Sequence, residues 1–232
     1  HFYVNFVENT STMEEFTDKI SLTVQKGKVD FNSPYPPDMK GQPGADELTR
    51  EALDAGVPAN DILNNALIPA MAIVGGLFRE KKLFVPQVLM SARAMSRAMV
   101  HLKPYFTSGE IKERGTFVVG TVAGDLHDIG KNLASMMIEG SGWRVVDLGV
   151  DVKSEKFIDA AREYPGCIVG MSALLTTTME SMEKAVKEMK TLLPAQRIIV
   201  GGAPLNAEFA ARIGADLYAQ TPQAAVSYLN SL

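Results

Sequence analysis

The sequence holds a single cysteine, Cys167, so no disulfide can close within the chain. That suits a reducing compartment, and a cytoplasmic location is expected. Histidine is scarce too. His1, His101 and His127 are the only three, scattered along the chain with no cysteine cluster beside them, so the sequence does not point to a closed four-ligand zinc site. No basic block interrupts a mildly acidic chain of net charge −4, so nothing electrostatic points to nucleic acid or an anionic membrane as partner. The longest uncharged stretch, Ile62 to Phe78, contains Pro69 and Gly75-Gly76. It falls short of the roughly 20 apolar residues a membrane span needs and reads as a buried helix. No secretory n-region, h-region and cleavage site opens the chain. It begins on His1 rather than Met. Met13 is the expected natural start, and no function is expected of residues 1–12.

What is present divides into two halves with different grammar. With 232 residues, 46% of them hydrophobic, there is room for one large core or two small ones. From Met13 to about residue 107 every periodic segment reads helical: Glu14–Lys26, Ala45–Ala55, Asp61–Arg79 and Pro86–Leu102. The last places Val88, Leu89, Ala92, Met95, Met99 and Leu102 at three- and four-residue spacing. Four such helices predict a small bundle over residues 13–107. Between the first two, Asp30–Gly44 carries Pro34, Pro36, Pro37 and Pro43, which predicts an extended loop. After a charged hinge, residues 108–232 alternate short β-branched runs with helical segments. Strands are expected at Thr116–Val122, Arg144–Leu148, Cys167–Ser172, Arg197–Gly201 and Asp216–Ala219. This alternation predicts a doubly wound, flavodoxin-like α/β fold with a parallel five-stranded sheet, whose ligands bind at the carboxyl ends of its strands.

Directly after the first strand runs Asp125-Leu126-His127-Asp128-Ile129-Gly130. A histidine with a carboxylate two residues upstream can offer one ring nitrogen to a metal while the other donates to that carboxylate. Alone, such a triplet is more often a solvated turn. Here the run resembles the Asp-x-His-x-x-Gly signature of cobalamin-binding domains. The third strand ends in Ser172-Ala173-Leu174-Leu175-Thr176, similar to that family's Ser-x-Leu-x-Thr, and the fourth in Gly201-Gly202-Ala203, similar to its paired glycines. Three signatures in order, each at a strand end, are far more specific than any one. Upstream, Val74–Phe78 and Leu83–Val88 resemble the helical cap of methionine synthase and of small methyltransferase corrinoid proteins. The resemblance covers roughly Ala45 to the C-terminus and implies a cap domain at 13–107 and a cobalamin-binding domain at 108–232.

The resemblance implies a cobalamin or related corrinoid bound base-off and His-on. His127 would be the lower ligand of the cobalt, and Asp125 would accept its distal N–H. Thr178 would hydrogen-bond Asp125, where the family usually has serine. Asp128, Ile129 and Gly130 would complete the loop beneath the ring. Ser172, Leu174 and Thr176 would line the slot for the displaced nucleotide tail, with Gly201, Gly202 and Ala203 letting the backbone approach it. Phe78, Val85 and Val88 would cover the upper face. The implied role is a methyl carrier, not catalytic alone, between a donor-specific methyltransferase and a second one acting on tetrahydrofolate or a thiol, kept active by a reductive activating protein. A cobalamin-binding fragment of methionine synthase and a cobalamin-dependent sensor are the alternatives. The small domain of an adenosylcobalamin mutase ranks behind them, since it would not need this cap.

Overall fold

Proline and glycine punctuate the first hundred residues, and the computed structural model, which describes residues 2–232 and side chains from residue 13 on, shows what they separate. His1 lies outside the described residues. The chain divides into two compact units, residues 1–112 with 140–142 and residues 113–139 with 143–232.

The first unit is helical, as the periodicity predicts. Its helices are Phe2–Lys26, Ala45–Asp54, Ala59–Arg79 and Val85–Thr107. The first begins well upstream of the expected Glu14, and the last runs on past Leu102, through Pro104. Ala59–Arg79 is long and apolar enough, by length and composition alone, to cross a membrane. Yet Ile62, Leu63, Ala66, Leu67, Ala70, Met71 and Val74 are buried at helical spacing, which is how a bundle uses a core helix. Within it, Ile62–Leu67 widens into a π-turn, with the Ile68 N–H bonding to the Leu63 carbonyl. Pro69 supplies a reason: it has no N–H, and its ring needs room beside the Asn65 carbonyl. The proline-rich loop is not extended but closed at its neck. Ala45 and Asp46 donate to the carbonyls of Lys28 and Val29, both at 3.0 Å, and the buried Lys28 Nζ donates to Ser33 O at 2.9 Å.

The second unit carries strands β1 (Thr116–Thr121), β2 (Arg144–Asp147), β3 (Ile168–Ser172), β4 (Arg197–Gly201) and β5 (Leu217–Ala219). They pair in parallel in the order β2-β1-β3-β4-β5, the flavodoxin arrangement that the alternation predicts. The central strands are buried along most of their length, so they read as near-continuous apolar runs.

The two faces of the sheet differ. Val118 of β1, Val169 and Met171 of β3, and Ile198 and Val200 of β4 join a solid core with the helices Ser154–Glu163, Met179–Leu192 and Ala207–Ile213. The residues of opposite parity face the helices Ile129–Glu139 and Pro222–Leu229, which pack on each other. The chain leaving β1 therefore goes to one face and the chain leaving β3 to the other. Between their exits the sheet edge is open.

Candidate functional site

At that edge the chain leaving β1 makes a turn, closed by Asp125 N–H on the Val122 carbonyl at 3.0 Å. The turn sends the Asp125 side chain inward, where it is 0% exposed. Its Oδ1 accepts the backbone N–H of His127 at 2.9 Å and lies 3.0 Å from His127 Nδ1. Its Oδ2 accepts from the N–H of Leu174 at 2.7 Å, the N–H of Leu175 at 3.4 Å and the Thr178 hydroxyl at 2.8 Å. Burial alone would push this carboxyl up, because desolvation penalises the anion. The amides of Leu174 and His127, the Thr178 hydroxyl and the His127 ring outweigh burial and hold the pKa down at about 2.

An anionic carboxylate can only accept, so His127 Nδ1 must be the donor. In the neutral ring the lone pair then sits on Nε2, on the side away from Asp125 by the geometry of the ring itself. The His127 side chain is 49% exposed. The arrangement is an imidazole with a fixed tautomer and a free basic nitrogen at the surface, which is what a metal ligand requires.

Three expected residues, Asp125, His127 and Thr178, are thus brought together, with threonine making the bond the family assigns to serine. The supports behind them escaped sequence reading. Thr121 Oγ1 donates to the Asp125 carbonyl at 2.5 Å, and Asp151 N–H reaches the same carbonyl and Thr121 Oγ1, each at 3.0 Å. Asp151 Oδ1 accepts from Gly124 N at 2.7 Å. Asp151 takes a φ of 53°, left-handed backbone that aspartate tolerates better than most residues. On the other flank, Asn132 Nδ2 donates to Asp128 Oδ2 at 2.9 Å. Lys131, its side chain 2% exposed, bonds Asn132 Oδ1 at 2.8 Å and pairs with Asp147 at the end of β2. The only sequence signals were a hydroxyl at the last position of β1 and an aspartate in the loop after β2.

Beside His127 a cleft of about 820 Å³ opens between the sheet and the helices Ile129–Glu139 and Pro222–Leu229. Of the expected residues, Asp128, Ile129 and Gly130 line it from one side, and Ser172, Leu174, Gly201, Gly202 and Ala203 from the other. Thr176 does not. It opens the short 3-10 turn Thr176–Thr178, which leaves it exposed while Thr178 is buried. Gly202 has a reason of its own to be glycine: at φ 140°, a Cβ would overlap the Ala173 carbonyl oxygen. The constraint comes from the packed exits of β3 and β4 and needs no ligand. In the helical unit, Phe78 and Val85 are half-buried and Val88 is 0% exposed.

The residues fit the group that the resemblance implies. Leu126, Ile129, Val150, Leu174 and Leu175, from the loops after β1, β2 and β3, are exposed at the edge that carries His127. Apolar side chains gathered in this way mark a surface to be covered. Among the described residues no three of His, Cys, Asp and Glu converge to hold a metal ion. A single protein nitrogen suits a metal whose other ligands a macrocycle supplies, as the resemblance implies, and the cleft of about 820 Å³ lies beside it.

Comparison with known proteins bears on this directly. Residues 115–227 match a family model described as a B12 binding domain, and residues 42–103 match a second model of the same description. A corrinoid protein of Desulfitobacterium hafniense is 37% identical over 191 residues, covering 80% of this chain and 88% of its own. Dimethylamine corrinoid protein 3 of Methanosarcina acetivorans is 39% identical over 184 residues, covering 78% of this chain and 86% of its own. Among solved structures, a cobalamin-binding protein of Desulfitobacterium hafniense superposes with TM-score 0.68 at 31% identity, over 80% of this chain and 89% of that one. The methanol:cobalamin methyltransferase complex of Methanosarcina barkeri gives 0.76 at 27% identity, over 94% of this chain and 81% of that one.

Proposed function

Since the chain belongs to the corrinoid proteins, the family built on these B12 binding domains, we propose that it is a methyl carrier binding its cofactor base-off and His-on. When bound, the corrinoid supplies a cobalt centre on which a methyl group can be held and passed on. Everything else is work for this chain. The observation that carries the reading is the fixed tautomer of His127 amid an apolar rim. Asp125 holds the ring proton on Nδ1, so Nε2 is the nitrogen that would hold the cobalt. Asp125 and the amides and hydroxyl behind it would keep the ring in that orientation whether or not the metal were bound.

One relative is named for dimethylamine and a structural neighbour is a methanol:cobalamin methyltransferase complex, which favours a small methylated amine or alcohol as the donor. A donor-specific methyltransferase would load the group, and a second would pass it to tetrahydrofolate or a thiol, with a reductive activating protein restoring the carrier. Phe78 and Val85, which keep part of their surface, retain the cap role in this reading, whereas Val88 is fully buried and would only support them from within the helical unit. Reconstitution with methylcobalamin tests its core. The wild-type protein should show the His-on absorption spectrum, and His127→Ala should lose it. An unchanged spectrum in the variant, or a lower base still bonded to cobalt in the wild type, would overturn the assignment.

A further inference from the structure

The cleft beside His127 is graded from mouth to floor. The register of the sheet sets Thr121, Ser172, Gly201 and Ala219 on one rung at the carboxyl edge, and Val119, Gly170, Ile199 and Leu217 on the next. Phe117 and Ile168 form the third. Ser172, Gln220 and Thr221 give the mouth polar groups, whereas Val119, Ile138, Ile199 and Phe117 line it deeper with carbon. From the Thr121 rung to the Phe117 rung is about 13 Å at the usual rise per strand residue.

The bottom is an aromatic ring. Phe117 is 2% exposed and points the tip of its ring at Gly170: a Cβ placed at 170 would overlap Cζ and stand 3.0 and 3.1 Å from Cε1 and Cε2. Gly170 is the one residue of its rung that leaves no side chain above the sheet, and the Phe117 ring occupies that space. A polar mouth and a dry aromatic floor suit a ligand whose phosphate and sugar stay near solvent while a flat base goes in first.

We propose that Phe117, seated on Gly170, is the floor of the nucleotide slot and a specificity-determining residue for the size of the corrinoid's lower base. The inference rests on the base-off reading above and deepens it, since it names which part of the cofactor this chain selects. Gly170→Ala would lift the ring into the slot and shorten it. Phe117→Leu in that background would lower the floor again.

The test compares dissociation constants of the purified full-length chain for cobalamin and for cobinamide, which ends before the nucleotide. The wild type should prefer cobalamin. Gly170→Ala should weaken cobalamin about tenfold or more, the usual consequence of overpacking, and leave cobinamide unchanged. Adding Phe117→Leu should recover the loss. Should Gly170→Ala not fold, as judged by its thermal melt without cofactor, Phe117→Trp carries the same expectation. If the variants keep the wild-type preference, or weaken both corrinoids equally, Phe117 is not the floor. A wild type that binds cobinamide as tightly as cobalamin would instead sink the base-off reading, and this inference with it.

Discussion

Replacing Asp125 by asparagine changes almost no volume and should nevertheless disable His127 as a ligand. The carboxylate accepts on both oxygens, from His127 on one side and from Leu174, Leu175 and Thr178 on the other. An amide has one accepting oxygen. Its better placement is toward Leu174 and Thr178, which turns the NH₂ toward His127. The ring then answers by changing tautomer: Nδ1 accepts, Nε2 carries the proton, and the lone pair that the proposed ligand role needs is gone. The backbone N–H of His127 is left facing another donor, which costs about 1–3 kcal/mol. A second effect concerns pH. Because the folded pKa of Asp125 is depressed to about 2 from 3.8, its contribution to stability is complete above pH 4 and is lost as pH falls toward 2. That contribution is about 2 kcal/mol at neutral pH. Nitrogen NMR of the His127 ring in the protein without cofactor reads the tautomer directly, and denaturant midpoints at pH 7 and pH 3 read the stability. An Asp125→Asn protein whose ring still protonates at Nδ1, or whose deficit against wild type is no smaller at pH 3, would refute this account of the relay.

Thr178→Ala removes the hydroxyl donor to Asp125 and should cost about 1.5 kcal/mol, while Thr178→Ser restores the bond. A carboxyl titration in which alanine leaves the Asp125 pKa where serine does would count against it. Gly202→Ala should cost about 3 kcal/mol or more in thermal or denaturant unfolding, from strain at φ 140° and overlap with Ala173. Gly201→Ala, whose Cβ would stand 3.3 Å from Ala219 O, should cost clearly less, and equal losses would contradict the packing argument. Asp151→Ala strips the acceptor from Gly124 N and leaves an unsuited residue at φ 53°, so hydrogen exchange at Gly124 should quicken about tenfold. Asp151→Asn should stay near wild type, and an unchanged alanine variant would remove Asp151 from the support of the loop.

Much of this molecule is legible in its sequence because the signals are local. Short β-branched runs such as Ile198–Val200, closed by Gly201-Gly202, favour buried strand, and Asn206 and Thr221 mark helix starts by accepting from Phe209 N and Ala224 N. Asp125 and His127 are two residues apart, so their pairing follows from spacing alone. Thr178 is 53 residues from Asp125, and only the family resemblance pointed to it. Thr121 and Asp151 had no such guide. A threonine ending a strand looks like any β-branched strand former, and its 30-residue separation from Asp151 closes only when β1 and β2 pair. The π-turn at Ile62–Leu67 was hidden because hydrophobic spacing does not register one extra residue in a turn. The second constraint on Gly202 is invisible in the sequence for a related cause: the strand end can be read, but not the Ala173 carbonyl pressed against it.

The strand order explains why the relay sits where it does. β1 and β3 are neighbours, yet their following helices depart to opposite faces, Ile129–Glu139 toward the cleft and Met179–Leu192 toward the solid core. Where the two chains part, backbone amides of the β3 exit are left without sheet partners, and unpaired buried amides are costly. The Asp125 carboxylate answers that need by accepting from Leu174 and Leu175. A carboxylate held by amides on one side is anionic and rigid, so its other oxygen is fixed as an acceptor for whatever follows two residues later. His127 inherits its tautomer from this closure of the sheet edge. The orientation of the His127 ring therefore follows from satisfying the fold, and a change that re-paired Leu174 elsewhere should loosen His127 without touching it.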